Sequence, residues 1–258
     1  IELALQAEGT ARAYDARITN SDGASVDSYA GLGVYANSNG FNGLNSSTRH
    51  SLSCSIVAQE NTAMQRDYWY TTSCVAEALD SAESVGQEAA RRTVRRLGGK
   101  SIPTCEAPVL YAPELARGLI GHLVSALSGA SQYRKASFLL DSVGKQIFPE
   151  FLQLRECPHI PRAPGSRAWD AEGVATQERD IILNGQVQGY FLGSYSARKL
   201  GLQTTGNAGG SSNLLLTHTD ASFQDLLKQM GRGLLVTELI GSGINMITGD
   251  YSRGAAGF

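Results

Sequence analysis

The chain has 258 residues, 42% of them hydrophobic and 18% charged, enough to bury a substantial core in one large domain or two smaller ones. A net charge of −2 lacks the basic field of a nucleic-acid-binding protein, and no apolar run approaches the roughly eighteen residues of a membrane span. The cysteines, Cys54, Cys74, Cys105 and Cys157, are scattered without a C-x-x-C pair, so they read as reduced thiols of a cytoplasmic protein rather than a disulfide framework.

Residues 1–13 read as the middle of an amphipathic helix, and the start at Ile1 rather than Met leads us to expect a fragment cut at both ends. Asn20-Ser21-Asp22-Gly23 has turn chemistry. Three strands are expected next: residues 29–35, then the period-2 face Leu52, Cys54, Ile56 and Ala58, then residues 65–72. Asn37-Ser38-Asn39-Gly40 can reverse the chain between the first two, which makes an antiparallel meander. A helix over 82–97 follows, with Asp80 and Glu83 as a capping-box-like pair and Gly98-Gly99 at its end. Its Arg91, Arg92, Arg95 and Arg96 complement the negative end of the dipole, and the cluster reads as a solvated helix end with Glu88 in reach of Arg91 and Arg92.

A short strand at 109–111 leads into a small-residue helix over 113–128. Pro113 suits its first turn, and Leu115, Leu119, His122, Leu123 and Ala126 share one stripe. Prolines 158, 161 and 164 mark a loop. Asn184-Gly185 between residues 179–183 and 186–192 suits a type I′ hairpin. A short helix over 194–200, a glycine loop over 206–212, a helix over 223–230 capped by Ser222 and a strand over 234–239 complete the order. Helices and antiparallel strands in separate runs predict an α+β fold with largely antiparallel sheets.

Few constellations carry chemistry. Gly99-Lys100-Ser101 resembles the end of a phosphate loop, but Val94 stands where its first glycine belongs, and it closes a helix instead of opening one. The glycine loop does not follow a strand of a βαβ unit, so it reads as tight turns or as a place where a peptide chain comes close. Asp170 and Glu172 read as a solvated turn, and His50 and His218 stand alone. Cys157 and His159 put two metal-ligand types two residues apart; with His122 they make a remote zinc alternative needing partners from distant segments. His122 itself reads as a packing residue.

Four segments carry a resemblance: Gly118-Leu119-Ile120-Gly121-His122-Leu123, residues 133–142, residues 194–201, and Thr248-Gly249-Asp250-Tyr251-Ser252-Arg253-Gly254-Ala255. With residues 206–210 and 233–243 they resemble, in colinear order, the PmbA (TldE) branch of the TldD/PmbA family. The resemblance implies that residues 1–18 end an N-terminal-domain or linker helix and that 19–258 form the family's α+β domain, incomplete at its C-terminus. In the TldD branch the helix matching 113–128 carries a zinc-peptidase His-Glu-x-x-x-His motif, with a further Cys ligand near the C-terminus. Those motif positions fall here on Ile120, Gly121 and Ser125, of which none is a competent zinc ligand; His122 lies about 200° around the helix from the first. The resemblance therefore implies a subunit without its own zinc or catalytic residues. It would support a zinc-bearing TldD-type protease partner in a hetero-oligomer that degrades small or unfolded peptides. The alternative is a non-proteolytic peptide-binding or self-assembling scaffold, a homodimer indifferent to such a partner.

Overall fold

In the computed structural model of the chain, which describes residues 1–258, the alternation read in the second strand builds the first core. Leu52, Cys54, Ile56 and Ala58 on strand β2 (Asn42–Glu60) are all buried, at 1% exposure or less. β2 lies between β1 (Ile18–Ala36) and β3 (Ala63–Ser73) in an antiparallel meander. Its inward face is covered by helix α1 (Glu2–Ala13) and helix α2 (Ala82–Val94). The Asn37 carboxamide turns the chain as expected, accepting from the amides of Asn39 and Phe41. Asn20–Gly23 is not a turn: β1 runs through it with two register shifts, and Gly23 takes up the irregularity at a φ of +107°. β3 pairs with β2 only as far as His50, so β1 and β2 continue past it as a two-stranded ribbon.

The α2 cap also differs. Ser81 rather than Asp80 accepts from the Ser84 amide, while the Asp80 amide donates to Thr71. The arginine cluster is not wholly solvated either. Arg91 pairs with Glu88 on the outside, but Arg92 is buried against the Trp69 ring, and Arg92 and Arg96 both lie 3.5 Å from the buried Asp67 carboxylate. The sequence alone could not reveal Asp67, which reaches these arginines from β3.

By its contacts the chain divides into two units, residues 1–103 with 162–164, and 104–161 with 165–258. Residues 1–18 fall within the first of these units. Ala7 and Ala11 of α1 are fully buried, and they join α2 and the sheet in one core.

The second unit is held by two small sheets. β4 (Val109–Tyr111) runs parallel to β9 (Leu234–Ile240), whose other edge pairs antiparallel with β10 (Gly254–Gly257), a strand absent from the sequence reading. The other sheet has the order β7-β6-β5-β8, all antiparallel: β5 is Leu154–Glu156, β6 Arg179–Leu183, β7 Gln186–Val187 and β8 Leu214–Leu216. Asn184 and Gly185 both have positive φ, 49° and 75°, as a type I′ turn requires. The second hairpin arm is only two residues long, because the chain beyond it bonds elsewhere: Phe191 pairs with the end of α3 (Pro113–Ala126), and Leu192 accepts from Thr205 and Asn207. Helix α4 (Gly129–Tyr133), α5 (Ser194–Leu200) and α6 (Phe223–Met230) complete the unit. Ser222 and Asp225 cap α6 reciprocally. No helix is long and apolar enough to cross a membrane.

The four cysteines are free, in contrasting settings. Burial, with a smaller contribution from Glu8, pushes the Cys54 thiol up to about 11, whereas Cys105 is exposed. Ellman's reagent should therefore titrate Cys105 and the half-buried Cys74 quickly in the native protein, and Cys54 and Cys157 only on unfolding. A raised folded pKa stabilises below the unfolded thiol value of about 9 and loses that contribution as pH rises through 11. Between pH 9 and 11 the native chain should lose about 2 kcal/mol more stability than a Cys54→Ala variant. Equal losses would contradict this.

Candidate functional site: a cleft at the end of helix α3

α3 presents its inner face at Ile120, Leu123, Val124 and Leu127, the i, i+3, i+4, i+7 pattern of a packed helix. This is rotated from the expected stripe: Leu119 is 38% exposed, since the core the helix meets lies on the Ile120 side. His122 sits half-buried at the margin, its ring edge-on to Tyr251 at 5.8 Å. Gly121 and Ser125 are exposed. The Ser125 hydroxyl donates to the Gly121 carbonyl one turn back, 2.9 Å away, a bond spent within the helix.

Cys157 is buried, and burial pushes its thiol up. His159 instead bonds the Thr176 hydroxyl through Nε2 at 3.1 Å. Nowhere do three or more His, Cys, Asp or Glu side chains gather so as to hold a metal ion, and the structure does not bring His122, Cys157 and His159 together.

What the structure does assemble is a buried polar network that sequence spacing did not single out. Glu156, on the central strand β5, is 2% exposed. One carboxylate oxygen accepts from the Ser212 amide at 2.7 Å, the Ser212 hydroxyl at 3.0 Å and the Asn207 carboxamide at 2.8 Å. The other accepts from Arg179 Nε at 3.0 Å. Arg179 also donates to the Tyr190 carbonyl and to Asn207 Oδ1, and its guanidinium lies over the Phe191 ring. Burial lowers the Arg179 pKa while Glu156 opposes that shift, so the pair rests on its hydrogen bonds as much as on charge. The sequence offered no hint: Glu156 stands next to Arg155 in Leu154-Arg155-Glu156-Cys157 and reads as one of an ordinary surface charge pair.

The network fixes the glycine loop. Asn207 is its anchor, and the Ala208 amide donates to Asp170, a 2%-exposed carboxylate that also accepts from the Glu172 and Val174 amides. Asp170 is thus a buried staple rather than part of a solvated turn. Glu172 accepts from the Ser194 amide at the start of α5. At Gly206, with φ +70°, an added Cβ would stand 2.8 Å from the Ala175 carbonyl, so the loop lies where only glycine allows. Between this loop, the end of α3, the start of α4 and the start of α5 lies a cleft of about 380 Å³, its walls including Val124, Phe191, Tyr133 and Tyr195. That volume suits a small ligand or a residue or two of an extended peptide.

Sequence models of the PmbA/TldA metallopeptidase central domain and C-terminal domain match residues 1–97 and 104–258, on either side of the boundary set by the contacts. The chain belongs to the PmbA/TldD metallopeptidase family. Within it the likeness is to the PmbA branch. Metalloprotease PmbA of Escherichia coli O157:H7 is 51% identical over 258 residues, covering 100% of this chain and 57% of that protein. The PmbA homolog of Haemophilus influenzae is 47% identical with the same coverages. A Bacteroides thetaiotaomicron crystal structure, described as a candidate modulator of DNA gyrase, superposes with a TM-score of 0.94 at 33% identity, over 100% of this chain and 58% of that one. The chain thus spans a little over half the length of the curated relatives it matches. The α+β fold with antiparallel sheets is the fold of this family.

Proposed function

We propose that the protein carrying this chain is the supporting subunit of a PmbA/TldD-type metallopeptidase that degrades small or unfolded peptides, the zinc being held by a TldD-type partner. The observation that carries the reading is α3. Ile120 packs into the core, Gly121 has no side chain, and the Ser125 hydroxyl is bonded within the helix, so this donor set does not fit a zinc ion. No hydrolytic step is therefore assigned to this chain's own residues. Its part is to bind and hold peptide: the cleft offers apolar walls and a glycine-lined rim, where a peptide backbone comes close without side-chain interference. PmbA and TldD proteins are both present in the family, which supports a pairing of the two kinds.

The test uses the full-length protein. Alone it should carry less than about a tenth of an equivalent of zinc, since a real site binds near stoichiometrically. Mixed with its TldD-type partner it should form a complex that digests a flexible peptide. Full activity from the partner alone would overturn the proposal, and a homodimer indifferent to the partner would favour the scaffold reading.

A further inference from the structure

Two of the rings that wall the cleft beside the glycine loop each carry a cation. Tyr133, the last residue of α4, and Tyr195, in the first turn of α5, meet edge-on with their centroids 5.6 Å apart. The Arg134 guanidinium lies over the Tyr133 ring at 5.4 Å, and its Nε donates to the Tyr133 hydroxyl at 3.1 Å. The Lys199 ammonium lies over the Tyr195 ring at 5.6 Å. Positions three and four beyond Tyr195 share its side of the helix, so Arg198 joins Lys199 there. Arg134, Arg198 and Lys199 are exposed, and none of them enters an ion pair.

The glycine rim adds a fourth cation. Arg167 donates to the Gly210 carbonyl, lies 4.0 Å from where a Cβ on Gly209 would stand, and has a buried Nε without a hydrogen-bond partner. Against these stands one acid in the cleft wall, Glu172, which accepts from the Ser194 amide. The chain as a whole has a net charge of −2, so the cleft reverses the sign of the molecule locally. Basic residues suit the ends of α4 and α5 because of the helix dipole, but the dipole does not account for cations folded back over rings of the cleft wall. A cleft with low-dielectric walls and one sign of charge concentrates ligands of the opposite sign. The two terminal nitrogens of Arg134 make no bond within the chain, and they form the fork that grips a carboxylate through two hydrogen bonds.

We propose that this cleft selects peptides with an acidic side chain, Asp or Glu, next to an apolar one. Arg134 takes the carboxylate with Lys199 beside it, and the apolar neighbour rests on Val124 and Phe191. The inference rests on the peptide-holding role proposed above and adds a preference to it. A peptide fits better than a nucleic acid, because about 380 Å³ admits a residue or two, whereas a nucleic-acid strand needs a longer basic track.

Fluorescence anisotropy on the full-length protein tests this. The probes are labelled flexible peptides, capped at both ends, that differ only in one central residue beside Leu: Glu, Gln or Lys. In dilute buffer the Glu peptide should bind at least about tenfold more tightly than the Gln peptide, and the Lys peptide should bind least. Added salt should narrow the gap, since exposed charges are screened. Arg134→Gln combined with Lys199→Gln should bring the Glu peptide to within about twofold of the Gln peptide, whose own binding should hold. Arg134→Lys alone should keep part of the preference, retaining the charge without the fork. Both side chains are exposed, so these variants should keep their melting temperature. Equal binding of the Glu and Gln peptides, or a preference that survives the double Gln replacement, would overturn the proposal and leave the peptide-holding role standing. So would a single-stranded oligonucleotide that binds through these residues more tightly than the Glu peptide. Binding of none of the three peptides would instead sink the peptide-holding role itself, and this proposal with it.

Discussion

Replacing Glu156 by Ala should cost about 3–5 kcal/mol and lower the unfolding midpoint of the second unit by about 10 °C. The removed carboxylate takes with it the acceptor for four donors: the Ser212 amide and hydroxyl, the Asn207 carboxamide and Arg179 Nε. None can turn to water easily, because Glu156 is 2% exposed and Asn207 6%. The uncompensated guanidinium dominates the cost, since a buried charge losing its partner is worse than a buried neutral group losing one. Glu156→Gln should fall between, keeping an acceptor for Ser212 while removing the charge. Joint replacement, Glu156→Gln with Arg179→Met, should recover part of the loss in a double-mutant cycle, because it removes the stranded charge along with its partner. Urea unfolding of the four proteins measures the coupling. A cost below about 1 kcal/mol for Glu156→Ala would mean that water reaches the site in place of the network. The functional consequence runs through Asn207: with its anchor gone the glycine loop loses its place, and the cleft it borders should lose peptide affinity as well.

How much of this was legible depended on sequence distance. The β2 face, the Asn184-Gly185 turn and the Ser222 cap are local patterns, and the structure holds each of them. Strands β5, β8 and β10 are three or four residues long and are defined by their neighbours; β5 pairs with β6 and β8, well over twenty residues away in sequence. Periodicity cannot speak for so short a run. The site divides the same way. Ile120, Gly121 and Ser125 became informative only beside the family motif, whereas the Glu156 network joins residues 23 to 56 apart and has no spacing to detect. The rotated face of α3 has the same origin. A helix with Leu, Ile and Val on three sides admits two stripes, and the core it meets chooses between them.

Gly86→Val should clearly destabilise the first unit. An added Cβ at Gly86 of α2 would lie 2.2 Å from the Ala7 carbonyl oxygen of α1 and 3.2 Å from Thr10 Cβ. The obstruction is backbone, which cannot swing aside as a side chain could. The two helices would have to part, uncovering a seam where Ala7, Ala11, Ala89 and Ala90 are now fully buried. Overpacking of this kind costs about 1–3 kcal/mol, and a backbone clash belongs at the upper end. Gly9→Ala, in α1 itself, is the matched control: no atom lies within 4 Å of its added Cβ, so it should stabilise by about 0.5–1 kcal/mol through helix propensity. Opposite signs at two glycines of one helix pair, read by thermal unfolding and by protease sensitivity of residues 1–13, would show α1 to be a seated part of the first unit. A neutral Gly86→Val would mean that α1 rides loosely on α2, and residues 1–18 would then behave as the linker helix that the family resemblance suggested.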